Sequence, residues 1–187
     1  MPQADPPAVG ADAPEPPRRT LRARLRWAWL RARLGRRLTL EGRVSVGPRV
    51  RIAIAPGASV VLGEGVELGE RARVEAIDAP VRIGAGTRLG ERCTLAAMAG
   101  IDIGADCLIG DYVLLTDSDP GFADIETPMR LQPLRTAPIR IGDGARIGAH
   151  AAIMAGARIG DGAVVGSYAI VRGAVPARGV ATRARRA

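Results

Sequence analysis

The sequence predicts an all-β chain, a parallel β-helix of about six triangular coils, and three observations predict it. From Val44 onward an aliphatic residue recurs at a spacing of six, with small corner insertions and one long break. The place after it is usually Gly or Ala, and the fifth place is most often small or Val. Aromatic residues make up only 3% of a chain that is 47% hydrophobic, so the core must be narrow and filled by Ile, Val, Leu and Ala.

Each six-residue unit reads as one short strand and a turn. The first place points into the core, Gly at the second tolerates the bend, and the small fifth place also faces inward. The chain from Ile83 reads IGAGTR LGERCT LAAMAG, and from Ile103 IGADCL IGDYVL LTDSDP. From Ile141 the aliphatic place keeps phase through six consecutive units, IGDGAR IGAHAA IMAGAR IGDGAV VGSYAI VRGAVP, which an unstructured Gly-rich segment would not do. Three units close one turn of about 18 residues. Blocks at Leu62, Ile83 and Ile103 lie 21 and 20 residues apart, so the early coils carry small corner insertions. At roughly 4.8 Å per stacked strand, about six coils make a prism near 29 Å long.

Along the chain, residues 1–17 form a Pro-rich tail with almost nothing to bury, which predicts disorder. Residues 18–40, RRTLRARLRWAWLRARLGRRLTL, set Leu21, Leu25 and Trp29 at helical spacing among nine Arg and predict a basic amphipathic helix. That helix caps the open end of the prism by its apolar face, lies on an anionic membrane surface through residues 18–37, or does both. The β-helix domain spans residues 43–177, and residues 178–187 form a basic tail. One long loop, 121–138, carries three prolines, loses the sixfold phase and must leave the prism. An excursion of this size in a tight solenoid points to function, because the repeat gains nothing from it.

The charge pattern limits the partners. All 27 basic residues are Arg and the net charge is +8, but residues 43–177 carry 14 Arg against 15 acids. The basicity sits in the two ends, so the body is not a nucleic-acid reader. Cys93 and Cys107, the only cysteines, sit at fifth places and lie 14 residues apart, so they are expected to pack inertly without meeting. No CxxC spacing or ligand cluster suggests a metal. The recurring GxGxxxG strings belong to the repeat and are not a dinucleotide fingerprint. No apolar run approaches the ~20 residues of a membrane span and no secretory-type segment opens the chain. The expected location is therefore cytoplasmic, with peripheral contact at the inner face of the membrane as the alternative use of the basic helix.

The stretch PIRIGDGARIGAHAAIMAGARIGDGAVVGSYAIVRGAVP resembles the last coils of the hexapeptide-repeat acyltransferases, including the sugar and lipopolysaccharide O-acetyltransferases, and the resemblance covers roughly residues 43–180. It implies a left-handed coil, a homotrimer, acetyl-CoA or another acyl-CoA as co-substrate between subunits, and an acceptor at the protruding loop. It further implies acyl transfer to a hydroxyl or amine, as in polysaccharide biosynthesis for the cell envelope.

In similar enzymes the loop opens with Asp-His-x-His-Gly-aromatic, and a histidine takes the acceptor's proton. Here the matching residues are Thr116-Asp117-Ser118-Asp119-Pro120-Gly121-Phe122, so Ser118 and Pro120 stand where histidines are expected. The family's Gly-Asn-Pro-Ala-Arg segment near the cofactor is also replaced, by GVATRAR.

His150 is the only histidine. With the loop excised, Ile147 stacks over Ile109 and Ile153 over Leu115, which places His150 in the column of Tyr112 at an outward or corner position. It is either a relocated base, at a trimer seam and oriented by Asp117 or Asp119, or a partly exposed repeat position where almost any side chain fits. Asp117 and Asp119 could themselves serve as the base or could complete a turn with Ser118 and Gly121. The candidate catalytic residues are thus His150, Asp117 and Asp119. The resemblance assigns acceptor contacts to Ser118, Phe122, Asp124 and Tyr112, and acyl-CoA contacts to Gly148, Ala149, Gly166, Ser167 and Arg172. The competing expectation is a β-helix trimer that has lost its base and serves as a scaffold or binding module. A γ-class carbonic anhydrase shares the fold but needs three metal-binding histidines, and one histidine excludes it.

Overall fold

The computed structural model describes residues 33–121 and 126–182. They form a three-sided prism of parallel strands, with between six and seven coils. The first face stacks Leu38–Leu40, Val60–Leu62, Val81–Ile83, Ile101–Ile103, Ile139–Ile141, Arg158–Ile159 and Ala174–Val175. The second stacks Ser45–Val46, Glu67–Leu68, Arg88–Leu89, Leu108–Ile109, Arg146–Ile147, Val164–Val165 and Val180–Ala181. The third stacks Arg51–Ile54, Arg73–Ala76, Thr94–Ala97, Leu114–Thr116, Ala152–Ile153 and Ile170–Val171.

Each strand hydrogen-bonds to the equivalent strand of the next coil, so aliphatic residues meet in columns inside the prism. Ile83, Ile103, Ile141 and Ile159 form one such column and Leu89, Ile109, Ile147 and Val165 another. All eight are buried. The fifth places, Cys93, Val113, Ala151 and Ala169 among them, fill the corners from inside. The register across the loop is the one expected from sequence, Ile109 with Ile147 and Leu115 with Ile153.

The second-place glycines answer to a different constraint than bending. A Cβ on Gly110 would lie 2.7 Å from the backbone nitrogen of Ala149, and one on Gly63 would lie 2.5 Å from that of Ala85. The backbone of the next coil passes too close for a side chain, and hydrogen is the only substituent that fits.

Three boundaries differ from the sequence expectation. Leu38–Leu40, given to the basic helix, is the first strand of the prism, pairing with Val60–Leu62. The coils therefore begin at Leu38 instead of residue 43, because Leu38 is aliphatic at a core place and is buried. At the other end, Val180–Ala181 pairs with Val164–Val165, so the prism continues into what was read as the tail. The excursion starts earlier than residue 121. Ser118–Pro120 and Leu134–Thr136 pair as a two-stranded antiparallel ribbon, with a 3-10 turn at Met129–Leu131 between them. The ribbon is pinned at its base where the Ala137 N–H donates to the Asp117 carbonyl at 2.9 Å. Residues 18–32 of the helix expected over 18–40 and the Pro-rich tail lie outside the described residues. Among the described residues, no helix is long and apolar enough to cross a membrane.

Candidate functional site

The corner between the second and third faces collects most of the candidate residues. At this place in successive coils stand Arg49, Arg71, Arg92, Tyr112, His150 and Tyr168, all in the left-handed backbone region, with φ between 53° and 61°. The corner is held by a ladder of main-chain bonds. The N–H groups of Tyr112, His150 and Tyr168 donate to the carbonyls of Glu91, Asp111 and Ala149 at 2.8, 2.8 and 3.0 Å. Because every coil shares the conformation, the strain belongs to the corner and not to one residue.

Side chains at this place point outward and stack coil on coil. The His150 imidazole lies between the rings of Tyr112 and Tyr168, 4.8 Å from each centroid and within 6° of parallel to both. The Arg92 guanidinium covers the far side of the Tyr112 ring at 5.4 Å. His150 is exposed, as are Tyr112 and Tyr168. Tyr112, expected from sequence to touch an acceptor, is thus a ring partner of the histidine. Tyr168 was missed, although its 18-residue distance from His150 in the insertion-free coils was the signal that could have found it.

Gly148 and Ala149 precede His150 at the same corner, and Gly166 and Ser167 precede Tyr168, so four expected acyl-CoA contacts form a small-residue ledge beside the imidazole. Gly148 also has a structural cause, since a Cβ there would overlap the backbone nitrogen of Ser167. Arg146, on the second face four residues before His150, is exposed and makes no ion pair among the described residues.

The remaining candidates sit at the opposite edge of the third face. Asp117 is fully buried and accepts the N–H groups of Met98, Ala99 and Gly100 at 2.8, 2.7 and 2.6 Å. A carboxylate so engaged is a brace for the corner of the preceding coil. Its oxygens face away from solvent, and it is not placed to receive a proton from an acceptor. Asp119 carries an ion pair with Arg172 at 3.2 Å, which joins the ribbon to the sixth strand of the third face. Arg172, expected to touch acyl-CoA, is therefore at the ribbon edge and apart from the other four contacts. Ser118 is in the ribbon opposite Thr136, and its carbonyl accepts the Thr116 hydroxyl at 3.2 Å. Phe122 and Asp124 lie outside the described residues.

The two edges do not meet within one chain. Tyr112 and Asp117 are five residues apart along an extended segment, roughly 15 Å, and His150 stacks on Tyr112 while Asp117 closes the other end of the same face. Within one chain, neither Asp117 nor Asp119 is therefore placed to orient His150. The cysteines behave as expected from sequence. Both are buried, their thiols donate to the carbonyls of Gly110 and Gly142, and burial pushes Cys93 up to about 11 and raises Cys107. No group of His, Cys, Asp and Glu among the described residues could hold a metal ion.

The described architecture has known relatives. The family of bacterial transferase hexapeptides, in six repeats, matches residues 138–173, and the hexapeptide repeat of succinyl-transferase matches residues 80–111. A probable acetyltransferase of Mycobacterium tuberculosis, Rv3034c, is 32% identical over 152 residues, 80% of this chain and 51% of that protein. The chain thus spans about half the length of the curated relative it matches. The hexapeptide-repeat acetyltransferase VCA0836 of Vibrio cholerae, complexed with acetyl coenzyme A, aligns with a TM-score of 0.60 at 21% identity, over 88% of this chain and 74% of that one. An Asp-to-Ala mutant of AntD, an N-acyltransferase of Bacillus cereus, in complex with dTDP and coenzyme A, aligns with a TM-score of 0.52 at 20% identity, over 75% and 80%. The two solved structures share the fold, and the matched hexapeptide repeats together with the 32% identical acetyltransferase show the family: the chain belongs to the hexapeptide-repeat acyltransferases.

Proposed function

We propose that this protein is a CoA-dependent acyltransferase that moves an acetyl or related acyl group to a hydroxyl or amine of a saccharide-type acceptor, in envelope glycan synthesis, and that it acts as a homotrimer. The observation that carries the reading is the exposed imidazole of His150, held at a corner beside the ledge of Gly148, Ala149, Gly166 and Ser167. Such a ledge is flat enough for the extended arm of an acyl-CoA, and Arg146 beside it offers a cation to a phosphate. The acetyl-CoA and coenzyme A bound to the structural relatives support this class of donor.

In the proposed reaction the acceptor oxygen or nitrogen attacks the thioester carbonyl as His150 takes its proton. The tetrahedral adduct collapses, the carbon–sulfur bond breaks, and the imidazolium returns the proton to the departing thiolate. Alignment of donor and acceptor on the trimer surface supplies the rest of the acceleration. Exposed apolar residues flank the corner on both faces, Leu108 and Val164 on one and Leu114 and Ile170 on the other, and a second copy of the chain would cover them.

A second reading, a trimer that serves as a scaffold, is favoured by Ser118 and Pro120 at the places of the family's histidines. One experiment separates the two. Acetyl-CoA titrated into the purified protein with a panel of sugar and amino-sugar acceptors releases free thiol under the first reading. Binding without thiol release on any acceptor supports the second.

A further inference from the structure

The surroundings of His150 lack what a base of this kind ordinarily uses. Among the described residues of one chain no carboxylate meets the ring, Asp117 is spent on three N–H groups, and Asp119 is paired with Arg172. The ring contacts are instead two phenol faces at 4.8 Å on either side, within 6° and 2° of parallel. We propose that Tyr112 and Tyr168 are positioning residues for His150, a π clamp that fixes the plane of the imidazole and stands in for the missing carboxylate. The inference rests on the reading of His150 as the base.

Three features argue for the clamp. A ring packed on both faces keeps one plane, so its two nitrogens are confined to the rim of the stack and reach only groups that come along the ledge. A proton taken up by the ring arrives between two π clouds, each of which attracts a cation. The neighbouring charges that share the corner are Arg92, which already occupies the far face of Tyr112, and Glu91 and Asp111. The Asp111 carboxylate accepts the Glu91 N–H at 2.8 Å.

Corner chemistry supplies the third argument. The corner between the first and second faces uses glycine at its left-handed place in four coils, Gly65, Gly86, Gly144 and Gly162, and Asp106 and Arg178 in two others. The corner of His150 uses no glycine in any of six coils, although each L side chain there costs roughly 1 kcal/mol. The outward ladder of long side chains therefore has a use other than closing the turn.

Because the chain has a single histidine, its imidazole C–H resonances can be read without assignment. In the full-length wild-type protein, stacking on two rings shifts them upfield. Tyr112→Leu and Tyr168→Leu should each move them downfield and lower kcat about tenfold or more with KM within about twofold. Tyr112→Phe and Tyr168→Phe keep the ring and should hold both the shift and kcat within about twofold of wild type, a rescue that a folding defect would not give. The clamp is overturned if the resonances move in the Leu variants while kcat stays at the wild-type value, or if the wild-type resonances show no upfield shift. With His150→Gln inactive, either result leaves the base standing and removes only its positioning. If His150→Gln turns over like wild type, base and clamp fall together.

Discussion

Asp117 shows how one residue type carries two readings until its partners are seen. From sequence it was a candidate base in a loop. In the fold it is the only charged side chain buried among the described residues, and it satisfies three backbone donors of the corner below. Replacing it by Ala strands those donors and should cost roughly 3 kcal/mol or more. Asn presents an amide that cannot accept from all three and should also destabilise. In both variants activity and the melting temperature should fall together, measured by thiol release and thermal unfolding on the same sample. Loss of turnover at an unchanged melting temperature would return Asp117 to the chemistry.

Cys93 gives a second residue-scale test. Its folded-state pKa of about 11 lies above the ordinary value of 9.0. The fold therefore favours the thiol, and the stability this gives is fully present below pH 9 and lost as pH rises toward 11. The chain contains no Lys, so few other groups titrate in that window. Denaturant unfolding at pH 8 and pH 11 should show a loss of roughly 2–3 kcal/mol, reduced in a Cys93→Ala variant compared with its own stability at pH 8.

At the scale of elements, the coils and the existence of the excursion were legible in the sequence, and the ribbon at the base of the excursion was not. Sixfold phase fixes which residues stack once insertions are few, and His150 landed on Tyr112 as the count from Ile109 and Leu115 required. The ribbon was invisible because Ser118–Pro120 has neither alternation nor strand-forming residues, and its pairing with Leu134–Thr136 is made across a gap in the repeat. The Asp119–Arg172 link was hidden for the same reason, since 53 residues separate the partners. Arg172 is largely exposed, so Arg172→Ala should change global stability by only about 0.2–1 kcal/mol. It should loosen the ribbon locally, and hydrogen exchange should show faster opening of Ser118–Thr136 with the coils unchanged.

At the scale of the whole molecule, the division of charge and the exposed apolar residues describe one object. A nearly neutral prism shows Leu108, Leu114, Val164 and Ile170 beside its most unusual corner, and the arginine excess sits in the ends. If a second copy covers that corner, Ile170→Asp places a charge in the contact. The wild-type protein should then run at three times the chain mass by light scattering and the variant at one, with the β-sheet circular dichroism retained. A wild-type protein that is monomeric at micromolar concentration would remove the trimer from the proposal.

The central claim is that this scaffold performs acyl transfer through His150, and steady-state thiol release from acetyl-CoA tests it most directly, comparing wild type with His150→Gln on whichever acceptor of the panel the wild type uses. The account predicts a kcat lower by about 100-fold or more in the variant, with the melting temperature within a few degrees of wild type. Equal turnover in the two proteins would contradict it.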